Sequence, residues 1–430
     1  MTSEQQSTIR PISRVTPENS FNRPNPSFSR TNSSFQSHPK HKITIGQGLK
    51  TIVTCSFVNF LLVFVPIGIA SHFVWSSTVT FIMNFLAIIP LAKLLGFATE
   101  DIALRTGEVI GGLLNATFGN AVELIISIIS LTQNLVVVVQ ASMLGSILSN
   151  LLLVLGMCFW GGGYFYKVQR FNQTVAQTSA SLLFISVASL LIPASFYGSI
   201  MEDASESGLD LTRDILKISR ATSFIGPTVT EDVKNKVTND PQDVEQGSHQ
   251  EVKQEEEVPQ LPAWMAIALL LVVTVLVGVC AEFLVSAIED VTEAWGISET
   301  FVGLILLPIV GNAAEHLTAV TCALKNKMDL ALGVAVGSSM QIALLVTPLM
   351  VIIGWGMNVE MSLYFNIYET AILFIAVIMV NYLIMDGESN WLEGLMLVAI
   401  YIVIAISFYY YPDEANSSTG SLPTNNSTVS

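Results

Sequence analysis

Two glutamates stand where an ionised side chain is hardest to keep. Glu123 and Glu315 each have about 16 residues of a predominantly apolar run before them, a depth at which a carboxylate in hydrocarbon costs several kcal/mol unless it meets a counter-charge or a proton. For both, the nearest Lys or Arg in sequence lies outside the apolar run. Each Glu closes the same short motif. Gly119-Asn120-Ala121-Val122-Glu123 recurs 192 residues later as Gly311-Asn312-Ala313-Ala314-Glu315. After each Glu, 21 residues pass before a Gly-Ser pair, Gly145-Ser146 in the first copy and Gly337-Ser338 in the second. A lone protonated Glu can simply hydrogen-bond a neighbouring helix, but a matched pair with matched surroundings points to a site.

The chemistry open to such a pair is narrow. Two carboxylates sum to −2 and balance one divalent cation, and oxygen is the ligand type that Ca2+ and Mg2+ take, Ca2+ tolerating irregular shells with backbone carbonyls. Gly119 and Gly311 precede their Glu by four residues, one helical turn away on the same face. A glycine there lets the helix open and lend a carbonyl, and Pro308 frees another in the second copy. Asn120 and Asn312 add amide oxygens. Ser338, Ser339 and Gln341 in one copy, and Ser142, Ser146, Ser149 and Asn150 in the other, put polar groups on the partner helices, where the serines serve equally well as small packing residues. Burial also favours the neutral form of the same carboxyls. A site that holds a divalent ion when charged and two protons when neutral exchanges one for the other without further machinery.

The elements that must hold this pair are membrane spans. Of the 430 residues 51% are apolar and only 12% charged, with a mean hydropathy of +0.58, where a soluble domain carries about 25% charged residues. Ten runs long enough to cross a bilayer fall at 51–70, 74–98, 107–131, 134–158, 173–197, 261–285, 299–324, 329–355, 363–385 and 391–411. Residues 1–48 are Ser/Thr/Asn/Pro/Gln-rich, hold six Lys and Arg, and read as a disordered arm on the cytosolic side. The links with Lys167/Arg170 and Lys325/Lys327 belong on that same side, the acidic stretches 202–210 and 289–293 on the other. The net charge of −15 is concentrated in 202–258, with 14 acidic residues against 6 basic. Nothing in it resembles a nucleic-acid footprint. Cys55, Cys158, Cys280 and Cys322 show no paired spacing and read as packing residues, neither disulfide nor metal ligands. Beyond Lys327 there is no Lys or Arg, and the tail offers sequons at Asn416, Asn425 and Asn426. Repeated halves with matching polar breaks read as a secondary transporter whose site lies at the repeat interface.

In ATEDIALRTGEVIGGLLNATFGNAVELI (98–125), CAEFLVSAIEDV (280–291), GNAAEHLTAV (311–320) and GVAVGSSMQIALLVTP (333–348), the chain resembles the cation/proton exchanger family of the calcium/cation antiporter superfamily, its fungal vacuolar members above all, over roughly 49–411. The resemblance implies an all-α polytopic membrane protein: an extra N-terminal span (49–72), a first repeat half (73–225), an acidic cytosolic linker (226–260), a second half (261–411) and a polar tail (412–430). It implies a non-enzymatic antiporter of the vacuolar membrane, without cofactor, exchanging cytosolic Ca2+, and by extension Mn2+, for luminal protons; a homo-oligomer is compatible with it. Glu123 and Glu315 would be the central ligands, alternately loaded with Ca2+ and protons. His316 would tune selectivity or proton coupling, or simply donate to a helix carbonyl. Glu282 would belong to the gating helix of the second half. Glu100 and Asp101 would sit at the membrane edge, and Glu231–Glu257 would be a regulatory or calcium-screening stretch.

Other readings fit less well. A sodium/calcium exchanger needs more acidic or hydroxyl ligands beside the central Glu than Val122, Ala314 and His316 provide. A membrane metalloprotease needs an HExxH helix, which the five histidines do not form. A channel needs no matched inverted carboxylates. One departure from the family stands out: eleven spans are expected, in two inverted sets of five plus one, and ten are visible. Residues 216–225 start like the absent span and break at Gly226-Pro227 into Thr228–Lys236, too polar to cross lipid. Without a return crossing before 261, the two GNxxE helices would run parallel, and the chain would be a transport-defective variant.

Overall fold

Long Leu/Ile/Val runs have one stable form in hydrocarbon, the helix that satisfies its own backbone, and helices dominate the computed structural model. It describes residues 45–106, 108–207, 214–223 and 259–411. The arm, most of the acidic linker including Glu231–Glu257, and the sequon-bearing tail lie outside them. The first half comprises α1 (Ile45–Thr54), a 3-10 turn (Phe57–Val63) running into α2 (Phe64–Val74), α3 (Ser77–Thr106), α4 (Glu108–Phe118), α5 (Ala121–Thr132), α6 (Val136–Leu148), α7 (Leu155–Phe165) and α8 (Gln173–Ser207). A helix over 214–223 (α9) follows. The second half has α10 (Ala263–Val285), α11 (Ile288–Trp295), α12 (Glu299–Phe301), α13 (Leu307–Gly311), α14 (Ala313–Leu324), α15 (Met328–Gln341), α16 (Thr347–Gly356), α17 (Ile367–Leu383) and α18 (Trp391–Tyr409).

Among the described residues, seven helices are long and apolar enough to span a membrane, eight if α11 and the stretch Glu299–Gly311, bent by 115°, count as one. The ten expected runs are all helical, but not all unbroken. Run 107–131 divides into α4 and α5, run 299–324 into α12, α13 and α14, run 363–385 shortens to the 17 residues of α17, and run 51–70 is interrupted at Cys55-Ser56. Each of the first two breaks falls on a GN pair.

Two ends are defined by the loops. Gln169–Arg170 (β1) pairs antiparallel with Glu388–Ser389 (β2), Gln169 opposite Ser389. The Gln169 side chain donates to Ala323 O and to Asn326 Oδ1, both at 2.9 Å, and Asn172 N donates to Asp329 Oδ1 at 2.7 Å. The links bearing Lys167/Arg170 and Lys325/Lys327 are thus neighbours, at what is here called the basic end. At the opposite, acidic end Ser77 donates to Asp290, Gln133 donates to Glu282 at 3.4 Å, and Gln140 donates to Ser362 O and Tyr364 O at 2.9 and 3.0 Å. It follows that α5 runs toward the acidic end and α14 toward the basic end: the two GNxxE helices are antiparallel, as inverted repeats require.

The span start seen in sequence is a helix at the acidic end. Ser219 Oγ of α9 accepts from Leu363 N at 2.9 Å, and the Arg220 guanidinium lies over the Trp355 ring, 4.9 Å from its centre. The next described residues are at the other end. Buried Asp101 accepts from the backbone N–H groups of Gln260 and Leu261, the latter at 3.0 Å, and pairs with Arg105 at 3.1 Å, which also donates to Leu261 O. Glu100 is exposed, as a membrane-edge residue should be. Asp101 instead ties α3 to the irregular residues that lead into α10.

Beside a small apolar cluster of Leu261, Met265 and Ala266, two large ones make up most of the core. One joins α6, α7 and α8 to α15 through α18; the other joins α2, α3 and α5 to α10 and α13. The four cysteines are free thiols inside or beside these clusters.

Candidate functional site

The site begins where two helices stop. Asn120 has φ −100° and ψ 19°, Asn312 φ −93° and ψ 14°: the same non-helical geometry in both copies. A new helix starts just after each, with Glu123 and Glu315 in its first turn. There the unpaired backbone N–H groups and the positive end of the helix dipole favour a negative side chain. Gly119 is held by the turn itself, since a Cβ there would come within 2.4 Å of Asn115 O. Gly311 has a different duty. A Cβ on it would lie 3.2 Å from Glu123 Cγ, so the Glu123 side chain reaches from one half onto the bare backbone of the other half's motif.

The polar residues singled out in the sequence cross-link the halves around this point. Asn120 Nδ2 donates to Gln341 Oε1 at 2.7 Å, and Asn312 Nδ2 to Ser146 O at 3.4 Å. Asn150 Nδ2 donates to Ser338 Oγ at 3.2 Å. The Nε2 of His316 is 3.1 Å from Ser149 Oγ. Glu282 is not drawn in: it is exposed at the acidic end of α10, with Gln133.

What these groups leave over is informative. Both oxygens of Glu123 and Oε2 of Glu315 are buried without a hydrogen-bond partner among the described residues, as are Ser146 Oγ and Asn150 Oδ1. Glu123 thus reaches to within one helical turn of the backbone that carries Glu315. Buried polar atoms are normally satisfied, and a buried pair of like charges needs a cation or protons. The donor set is all oxygen, which suits a hard divalent cation. No cluster of three or more His, Cys, Asp or Glu exists among the described residues, so two carboxylates, amides, hydroxyls and backbone would have to serve.

Three π-helical turns surround the breaks: Ser149–Val154 after the first Gly-Ser pair, Ile342–Val346 after the second, and Val302–Leu306 before α13. Such turns gather at functional sites. Sequence reading missed them, although Pro308 and Pro348, which remove the N–H groups a regular helix would use, were the signal for two. It also missed Lys93 in the middle of α3, whose Nζ donates to Thr318 Oγ1 at 3.0 Å, one turn beyond Glu315.

The halves are not packed alike. At the acidic end α6 presses on the Val302–Leu306 turn. A Cβ on Gly145 would lie 2.1 Å from Leu304 O, and one on Gly303 would lie 2.7 Å from Val138 O. The repeat-related position of Gly145 toward the basic end, Gly337, looks into open space, and that of Gly303, Gly111, meets only its own half, where a Cβ would lie 2.8 Å from Ala103 O. Glu123 is buried, whereas residues 314–318 of α14, Glu315 included, are half-exposed. The halves are pressed together at the acidic end and stand further apart at the basic end.

Antiparallel broken helices that meet over two buried carboxylates define a membrane transporter of the inverted-repeat class. Residues 76–225 and 265–410 match the sodium/calcium exchanger protein family, and the chain belongs to that family. A vacuolar calcium ion transporter of Schizosaccharomyces pombe is 46% identical over 371 residues, covering 84% of this chain and 87% of that protein. A Ca2+/H+ antiporter of Aphanothece halophytica is 42% identical over 362 residues, 82% of this chain and 96% of that one. Among solved structures, native YfkE superimposes with a TM-score of 0.68 at 35% identity, over 82% of this chain and all of YfkE.

Proposed function

We propose that this chain is a secondary antiporter that carries Ca2+ from the cytosol into an acidic vacuole in exchange for protons, with Glu123 and Glu315 as the groups that hold either load. The observation that carries the reading is the set of three buried carboxylate oxygens without partners, delivered by antiparallel broken helices. Names of relatives at 46% and 42% identity, a vacuolar calcium ion transporter and a Ca2+/H+ antiporter, support the choice of ions and membrane. With the basic end cytosolic, the wider spacing of the halves at that end gives Glu315 and Glu123 access to cytosolic Ca2+. Backbone at Gly119 and Gly311, the amides of Asn120 and Asn312, and Ser338 and Gln341 complete the oxygen shell. His316 sits beside Glu315 in sequence and on Ser149 in space, placed to tune proton coupling and the preference between Ca2+ and Mn2+. Glu282, on the far rim, acts on the luminal path.

The test is calcium uptake into vesicles bearing the chain, with and without a pH gradient. Uptake should follow the proton gradient, and Glu123→Gln or Glu315→Gln should each bring it to background. The amide keeps the shape but leaves a divalent ion short of one charge in a low-dielectric site. Near-normal proton-driven uptake by Glu123→Gln would refute the two-carboxylate site, and uptake that follows a Na+ gradient instead would refute the proton.

A further inference from the structure

Lys93 carries a charge that the exchange site has to accommodate. It lies midway along α3, half-buried, at membrane depth, where a cation is expensive and usually functional. Its ammonium is held by Thr318 Oγ1 at 3.0 Å, and that hydroxyl donates in turn to Ala314 O at 2.8 Å. None of the ion pairs among the described residues includes Lys93. Glu315 lies three residues before Thr318 on the same helix. The hydroxyl anchor therefore sets a fixed positive charge about one helical turn from the ion-binding carboxylate, toward the basic end.

The position is not an arbitrary one. Residues 92–101, AKLLGFATED, and 281–290, AEFLVSAIED, agree at five of ten places. They are the two copies of one segment on α3 and α10, the helices that pack along each other. Lys93 thus occupies in the first copy the place that Glu282 occupies in the second. The basic-end path bears a cation where the acidic-end path bears a carboxylate.

We infer that Lys93 weakens the hold of Glu315 on the divalent ion in the cytosol-facing state and thereby speeds turnover, acting as a positioning residue for charge rather than as a ligand. The inference rests on the exchange proposed above. In a water-like dielectric, a unit positive charge about one helical turn (roughly 5.4 Å) from a doubly charged ion opposes it enough to cost roughly a tenfold loss of affinity. Faster release is the return, because an ion bound less deeply escapes over a lower barrier.

The experiment measures calcium KM and kcat in vesicles for the full chain and for Lys93→Met, Lys93→Gln and Lys93→Arg, at matched protein levels. The neutral variants should lower KM about tenfold and lower kcat with it, while Lys93→Arg stays within twofold of the parent in both. A merely structural lysine would not give a falling KM. An unchanged or raised KM in both neutral variants overturns the role, as does Lys93→Arg behaving like Lys93→Met, or the failure of both neutral variants to accumulate in the membrane. The unsubstituted chain separates the two claims: if it shows no proton-driven uptake, the antiport reading fails, whereas if it transports normally and the neutral variants match it, only the role of Lys93 fails.

Discussion

Gly145→Ala should disable exchange without unfolding the protein. A Cβ at Gly145 would stand 2.1 Å from Leu304 O, 2.6 Å from its carbonyl carbon and 2.7 Å from its Cα, where ordinary contacts begin near 3.4 Å. Those atoms are backbone of a π-helical turn and cannot swing aside, so α6 and the turn must part by roughly 1 Å. Overpacking of this kind costs about 1–3 kcal/mol. The contact belongs to the arrangement in which the halves are pressed together at the acidic end, so the penalty weighs on that access state and shifts the balance between states about 5–150-fold. A cycle that must pass through the depleted state slows in proportion, and kcat for calcium uptake should fall at least about fivefold. The shift itself is read by placing Ser142→Cys, buried on α6 one turn before Gly145, in a background without the four native cysteines. A membrane-impermeant thiol reagent applied at the acidic end should label it faster when Gly145→Ala is present. Gly337, with nothing within 4 Å, is the control: Gly337→Ala is free of strain in the state described and should not increase that labelling. Wild-type turnover and wild-type labelling in Gly145→Ala would refute the argument that this interface is a gate.

His316→Ala removes the contact with Ser149 and should change the pH profile or the Ca2+/Mn2+ preference more than the protein level; unchanged profiles would leave His316 a packing residue. Asn120→Ala and Gln341→Ala break one 2.7 Å bond between the halves, so in a double-mutant cycle on calcium KM they should couple by at least about 0.5 kcal/mol, and strict additivity would deny the bond. Asp101→Asn discards the charge of a buried acceptor shared by two backbone N–H groups and Arg105, and should destabilise the chain by about 1.5–3 kcal/mol, seen as a lower Tm with little change in KM. Sequencing the native transcript across codons 220–232 should reveal coding sequence absent here, and glycosylation of the tail sequons should place the tail in the lumen; an uninterrupted transcript with an active exchanger and a cytosolic tail would refute the deletion.

Much of this was legible because membrane chemistry leaves few choices. A carboxylate sixteen residues into an apolar run has to be part of a site or be neutral, and its repetition with a fixed interval to Gly145-Ser146 and Gly337-Ser338 locates the partner helices. The pairing was not legible. That Asn120 bonds Gln341 while Asn312 bonds the backbone of Ser146 depends on how two halves cross, and no periodicity records it. The breaks at Asn120 and Asn312 were foreshadowed by glycine one residue before, yet their hydropathy is that of continuous spans. Lys93 was hidden by its surroundings: a single charge in a 25-residue apolar run scarcely changes the hydropathy, and only Thr318, 225 residues away, shows where the ammonium goes.

The two ends of residues 224–258 carry the remaining argument. Ser223 is the last described residue of a helix that is fastened to Leu363 and Trp355 at the acidic end, and Gln260, just before α10, is fastened to Asp101 at the basic end. The chain has to pass from one end to the other between them. It must do so for α5 and α14 to be antiparallel, which their contacts with Gln133 and Asn326 at opposite ends establish. Yet Thr228–Lys236 is polar at seven of its nine positions, and no run of about 20 apolar residues, the length a crossing needs, occurs between 224 and 258. A polar chain with its backbone unsatisfied cannot lie in hydrocarbon. The geometry of the two halves therefore demands an element that the sequence at this place lacks, and α9, with Ile215 and Leu216 buried and Ser219 capping Leu363, has the burial and the position of that element's first turns. A deletion just after Phe224 accounts for all of this with one event. A new topology would have to undo the antiparallel pairing on which the site depends.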